Sequence, residues 1–108
     1  MVGYEEITPA EVAARLRSGE KVNLIDVREP EEHAIAHVEG ARLLPLSRFH
    51  EWAASLSRDE EVIVMCHHGI RSAQVCAFLA QQDFKRLRNL AGGIDRWSCE
   101  VDASVPRY

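Results

Sequence analysis

Two hydrophobic rhythms alternate along this chain. Short β-branched apolar runs, apolar on both alternations, are separated by segments whose apolar residues fall every three or four positions, as in a strand-and-helix fold packed in layers. Thr8, Pro9 and Glu11 have the spacing of a capping box with proline in the first helical turn. Val12, Ala13 and Leu16 then mark a helix face, which Gly19 ends. Val22 to Val27 (VNLIDV) reads as a buried strand running out at Asp26, Val27, Arg28 and Glu29. Pro30 breaks it and opens a short helix across Glu31 to Ile35. Ala41 to Leu46 gives another strand, after which Ser47 is placed to cap a helix with Phe49, Trp52, Ala53 and Leu56 at i, i+3, i+4 and i+7.

Arg58, Asp59 and Glu60 turn the chain into Val62, Ile63, Val64 and Met65, a run suited to a central strand covered on both faces. The loop that follows leads into a helix with Val75, Cys76, Leu79 and Ala80 on its apolar face and Ser72 placed to cap its first turn. Phe84 to Leu90 (FKRLRNL) reads as the last strand. Ala91, Gly92 and Gly93 then turn into a final helix anchored by Trp97. The expected fold is α/β, a mostly parallel sheet with helices on both faces.

The 108 residues fit a single domain spanning 1–108, and 46% apolar with 28% charged residues is ordinary for a globular protein. A net charge of -4, with 11 arginines scattered among acids, argues against nucleic acid as the main partner. No stretch has the length of a membrane span, and the start (MVGYEEITP) lacks the basic and apolar regions of a secretory signal, so a cytoplasmic protein is expected. Three cysteines, an odd number without a pairing pattern, suit a reducing compartment.

The candidate chemistry lies where the central strand ends, at Cys66, His67, His68, Gly69, Ile70, Arg71 and Ser72. A loop entering a helix presents unpaired N–H groups and the positive end of the dipole, which favours an anion. The nearest candidate is the Cys66 thiolate. Arg71 adds a cation that favours the thiolate or holds an anionic substrate, and Gly69 lets the loop curl. His67 and His68 line the rim and add positive charge below neutral pH. A lone cysteine at a strand end is a small hydrophobe, and Cys76, on its helix stripe, is read that way. Cys99 sits in a polar stretch, and the sequence leaves open whether it is exposed, giving no distance to Cys66 for a resolving role. His33 and His37 have a metal-binding spacing but no third ligand, and the neighbours Cys66, His67 and His68 do not converge, so no metal is expected. The stretch from Val101 to Tyr108 carries little signal.

The C-x-x-G-x-R-S loop resembles the active-site loop of rhodanese-type sulfurtransferases. The segment DVREPEEHAIAHVEGARLLPL resembles a second family pattern at Asp26, Arg28, Glu32, His37, Gly40, Ala41 and Pro45, with Ala36 and His33 as departures. The paired glycines before Trp97 resemble a third, and the likeness runs from about Ile7 to about Trp97. It implies the rhodanese-like arrangement of five strands. It also implies a Cys66 persulfide, which needs no other cofactor, and loop positions 67–72 around a small sulfur-donor anion. Thiosulfate is the model donor; cyanide, a thiol or a protein is the acceptor. Asp26 ends its strand as Cys66 does, so in a parallel sheet Asp26 and Arg28 lie at the same edge, as a buried ion pair that fixes the loop. The alternatives are a relay or docking module, and a phosphatase or arsenate reductase. The last two are disfavoured by a loop one residue shorter than in related phosphatases.

Overall fold

The capping box forms as written in the computed structural model, which describes residues 3–108. Thr8 Oγ1 accepts the Glu11 N–H at 3.2 Å and the Glu11 carboxylate accepts the Thr8 N–H, so α1 (Pro9–Arg17) starts at the proline. It ends at Gly19, whose φ of +83° is open to glycine and costly for other residues.

Five strands follow the order β1-β5-β4-β2-β3, all parallel: β1 (Glu5–Ile7), β2 (Leu24–Asp26), β3 (Arg42–Leu43), β4 (Val62–Met65) and β5 (Leu87–Leu90). Side chains of β4 alternate between two cores, which explains the uninterrupted apolar run. Ile63 and Met65 join Ile7, Val12, Leu24, Leu90, Ile94 and Trp97 on one face, against α1 and α5 (Gly93–Glu100). Val62, Val64 and Cys66 join Ile25, Trp52, Leu56, Val75 and Leu79 on the other, against α4 (Ile70–Gln81). The helix from Pro30 forms as α2 (Pro30–Ile35). Among the described residues no helix is long and apolar enough to cross a membrane.

Three expectations change. The strands are shorter than Val22–Val27, Ala41–Leu46 and Phe84–Leu90 suggest, because pairing ends where the chain bends towards the next helix. The single helix through Phe49 and Leu56 is broken: α3 covers Phe49–Trp52 between two 3₁₀ turns, Leu46–Arg48 and Ala53–Ser55. Trp52 Nε1 donates to the Pro45 carbonyl at 2.7 Å, and Trp52 and Leu56 stay buried. Ser47 does not cap that helix, since its N–H and hydroxyl both donate to the Glu29 carboxylate.

Candidate active site

Asp26 on β2 pairs in register with Met65 on β4, so the two strands run out level, and the Val27 N–H continues the ladder by donating to the Met65 carbonyl at 2.9 Å. The next residue along β4 is Cys66. Its side chain points to the α4 face and is 1% exposed. Burial alone would describe an inert cysteine, but donors converge on this sulfur. Sγ accepts the Gly69 N–H at 3.1 Å and the Ser72 N–H at 3.4 Å, and the Ser72 hydroxyl oxygen lies 3.3 Å away. The N–H groups at a helix start are the donors that an anionic group at this position would use.

The loop owes this shape to Gly69, the N-cap of α4, whose φ is +97°. Ser72 is therefore not the cap. It is the third residue of α4, fully buried, with its hydroxyl turned inward. That hydroxyl has one proton and two acceptors, Cys66 Sγ and Asn89 Oδ1, the latter at 2.5 Å. Asn89, on β5, also donates through Nδ2 to the Gly69 carbonyl at 3.1 Å and to the Glu6 carboxylate at 3.0 Å. Asn89 thus grips both residues whose N–H groups face the sulfur. Sequence reasoning missed it; the available signal was one amide side chain among the leucines of a strand.

The paired glycines close the loop from the other side. Gly92 and Gly93 have φ of +74° and +60°, and the turn aims the first amides of α5 at the active loop. The Ile94 N–H donates to the Cys66 carbonyl at 2.9 Å, and the Asp95 N–H donates to the His67 carbonyl at 3.1 Å. These two carbonyls are thereby bonded to α5.

Asp26 and Arg28 form the buried ion pair read from the sequence, both fully buried, with Arg28 Nη2 2.6 Å and Nε 2.9 Å from the carboxylate. Arg28 Nη2 also donates to the Ala36 carbonyl at 2.8 Å, tying the end of β2 to the turn after α2.

Arg71 is not a free cation. Its two terminal nitrogens lie 2.7 and 2.9 Å from the oxygens of Glu32, a fork-on-fork pair across the site mouth. Hydrogen bonds from Arg71 outweigh partial burial and hold the Glu32 carboxyl down at about 2, against 4.5 for a free glutamate. A depressed acid stabilises the fold fully above its unfolded value and loses that contribution as pH falls through its folded value. The stability gap between the native chain and Glu32→Gln should therefore be constant above pH 4.5 and shrink as the pH approaches about 2, followed by urea unfolding across that range. A gap independent of pH would mean that the pair contributes nothing.

His67 and His68 stack face to face, ring centroids 3.8 Å apart at 29°. Burial first, and then the neighbouring His68, push the His67 imidazole below its usual value, so it resists the charge expected of it. His67 Nε2 is buried without a hydrogen-bond partner among the described residues. Ligand atoms of His67, His68 and Asp95 fall within 4.8 Å of one another. A metal lies near the plane of each imidazole that binds it, so two stacked rings cannot aim at one ion until the stack opens. Asp95 is moreover held by Arg107 at 2.9 Å. His33 and His37 likewise stack, at 4.9 Å, with His37 beyond the end of α2. Ile70 stands at the loop rim, 69% exposed. Of the other thiols, Cys76 is pushed up to about 12 by burial, and Cys99, which the sequence left open, is exposed.

Comparison with known proteins returns the same likeness. The family described as "Rhodanese-like domain" matches residues 8–100. The chain is 41% identical over 93 residues to the Arabidopsis thaliana "Rhodanese-like/PpiC domain-containing protein 12, chloroplastic", covering 82% of this chain and 31% of that relative's length. It is 34% identical over 97 residues to the "Thiosulfate sulfurtransferase GlpE" of Ectopseudomonas mendocina, covering 90% of this chain and 87% of the relative. The crystal structure of a rhodanese-like domain protein from Staphylococcus aureus superposes with a TM-score of 0.81 at 27% identity, over 96% of this chain and 98% of that one.

Proposed function

The chain belongs to the rhodanese-like domain family, and from that premise we propose that it moves a sulfane sulfur from a donor such as thiosulfate to a thiophilic acceptor through a persulfide on Cys66. The observation that carries this reading is the convergence of the Gly69 and Ser72 N–H groups on Cys66 Sγ, at the amino end of α4. The curated relative from Ectopseudomonas mendocina supports the choice of donor by its name.

The transfer is a double displacement. The Cys66 thiolate attacks the outer sulfur of thiosulfate, the sulfur–sulfur bond of the donor breaks, and sulfite departs with its electron pair, leaving Cys66–S–S⁻. Cyanide or a thiolate then attacks the terminal sulfur, departs as thiocyanate or as a new persulfide, and returns Cys66 to the thiolate. The loop N–H groups face negative charge at each stage and need no reorganisation between them. Arg71 is held by Glu32 beside the sulfur and offers residual positive charge to the donor and the sulfite. His68, exposed on the rim, meets the approaching anion, while His67 acts as an uncharged wall. The two displacements are complete in electron-pair terms without a cofactor.

Intact mass after incubation with thiosulfate tests this. The expected result is a gain of one sulfur atom that cyanide removes and that Cys66→Ser never shows. No gain from any sulfane donor would replace this reading with a docking module, gain only from a protein persulfide would make it a relay, and turnover of an aryl phosphate would make it a phosphatase.

A further inference from the structure

The segment after α5 reaches the mouth of the Cys66 loop. It is anchored on the way: the buried Val105 offers its carbonyl to the Ser98 hydroxyl at 2.6 Å, and Arg107 pairs with Asp95. From that anchor Tyr108 touches three separate parts of the site. Its hydroxyl accepts from Arg28 Nη1 at 2.9 Å and donates to Glu32 Oε2 at 2.8 Å. Its ring stacks on His67 with centroids 3.9 Å apart and planes 6° off parallel, completing a three-ring stack with His68. The directions of the hydrogen bonds follow from the partners, because a guanidinium only donates and a carboxylate only accepts.

We propose that Tyr108 is a positioning residue of the sulfur-transfer site, fixing Glu32 so that it grips Arg71 and walling His67 into the active loop. The inference rests on the assignment of Cys66 as the sulfur-carrying nucleophile. Its force comes from the four bonds to the Glu32 carboxylate. Oε1 takes Arg71 Nη1 and the Glu29 N–H, while Oε2 takes Arg71 Nη2 and the Tyr108 hydroxyl. Each oxygen has one bond to the arginine and one that resists rotation of the carboxylate. Without the phenol, the Oε2 side has no brace and the fork can turn, carrying the Arg71 charge with it. Arg28 loses at the same time the better partner of Nη1, keeping only the Glu32 carbonyl at 3.3 Å. The ring does a second job: it covers one face of an imidazole whose Nε2 is buried and unpaired, and so holds His67 against the loop.

Two variants of the full chain separate the hydroxyl from the ring. Tyr108→Phe keeps the stack and should raise KM for thiosulfate about fivefold to tenfold with kcat within about twofold, as for loss of one hydrogen bond serving ground-state binding. Tyr108→Leu should raise KM as much and also remove the tyrosine's ring-current contribution to the His67 ring protons in NMR, which Tyr108→Phe retains, the His68 contribution staying in both. Both should broaden the Arg71 Nε–H resonance. The NMR readouts need no turnover, so a chain that failed to transfer sulfur would refute the proposed function and still decide the role of Tyr108. Unchanged KM and Arg71 signals in Tyr108→Phe would refute the tether, and an unmoved His67 signal in Tyr108→Leu would refute the wall. A fall in melting temperature and kcat together, without a change in KM, would assign Tyr108 to general stability and overturn the proposal.

Discussion

Asp26→Ala is expected to cost about 3–5 kcal/mol of folding stability, the range for removing one partner of a buried ion pair. Arg28 is fully buried, and a guanidinium cannot shed its proton to escape. Deleting the carboxylate strands the charge, and the acceptors that remain, the Ala36 and Glu32 carbonyls and the Tyr108 hydroxyl, are neutral. Arg28→Met should cost less, because a lone aspartate can take up a proton. The double variant Asp26→Ala with Arg28→Met should be markedly more stable than the sum of the two single losses predicts. Urea unfolding of all four proteins closes the cycle. Additive losses would show that the two side chains matter separately and that their pairing does not hold the end of β2.

The second large effect belongs to Gly93→Ala. A Cβ built there meets the Cys66 carbonyl oxygen at 2.4 Å and the His67 carbonyl oxygen at 2.5 Å, both fixed backbone atoms. Relief requires moving α5 away from the active loop, which breaks the Ile94 and Asp95 amide bonds to those same carbonyls. Gly19→Ala is the natural control: its φ of +83° imposes similar backbone strain, but nothing among the described residues lies within 4 Å of its Cβ. Strain alone costs roughly 1 kcal/mol, and the collision should add at least about 2 kcal/mol more at position 93. Chemical denaturation measures the difference. Where the Gly93 variant still folds, alkylation of Cys66 should also change, while the Gly19 variant should keep the native rate. Equal midpoints for the two variants would show that the close approach is not a constraint.

How much of this could be read from the sequence depended on range. The strand Val62–Met65, the thiol after it and the helix from Ile70 lie within a few residues of one another, and their chemistry is local: β-branched packing, a left-handed glycine, a helix start. The Asp26–Arg28 pair was legible for the same reason, two residues apart at a strand end. The first strand was not, because Glu5 and Glu6 are exposed and only Ile7 is buried; its place comes from pairing with β5. Arg71 looked like a free cation because its partner, Glu32, stands 39 positions earlier. Asn89 and Tyr108 were silent for that reason too, reaching Glu6 and Arg28 across 83 and 80 positions. Ser72 was misjudged because a serine near a helix start is usually its cap, and here a glycine in the left-handed conformation had taken that position.

The Asn89 amide leaves the loop around Cys66 leashed to the rim of the sheet. Glu6 sits on an outermost strand only three residues long, the part of such a sheet that frays first. When it peels off, Asn89 gives up its carboxylate partner and its hold on Gly69 and Ser72 slackens. Displacing β1 would therefore loosen the Asn89 hold on Gly69 and Ser72 from the far side of β5, without any contact to the loop itself.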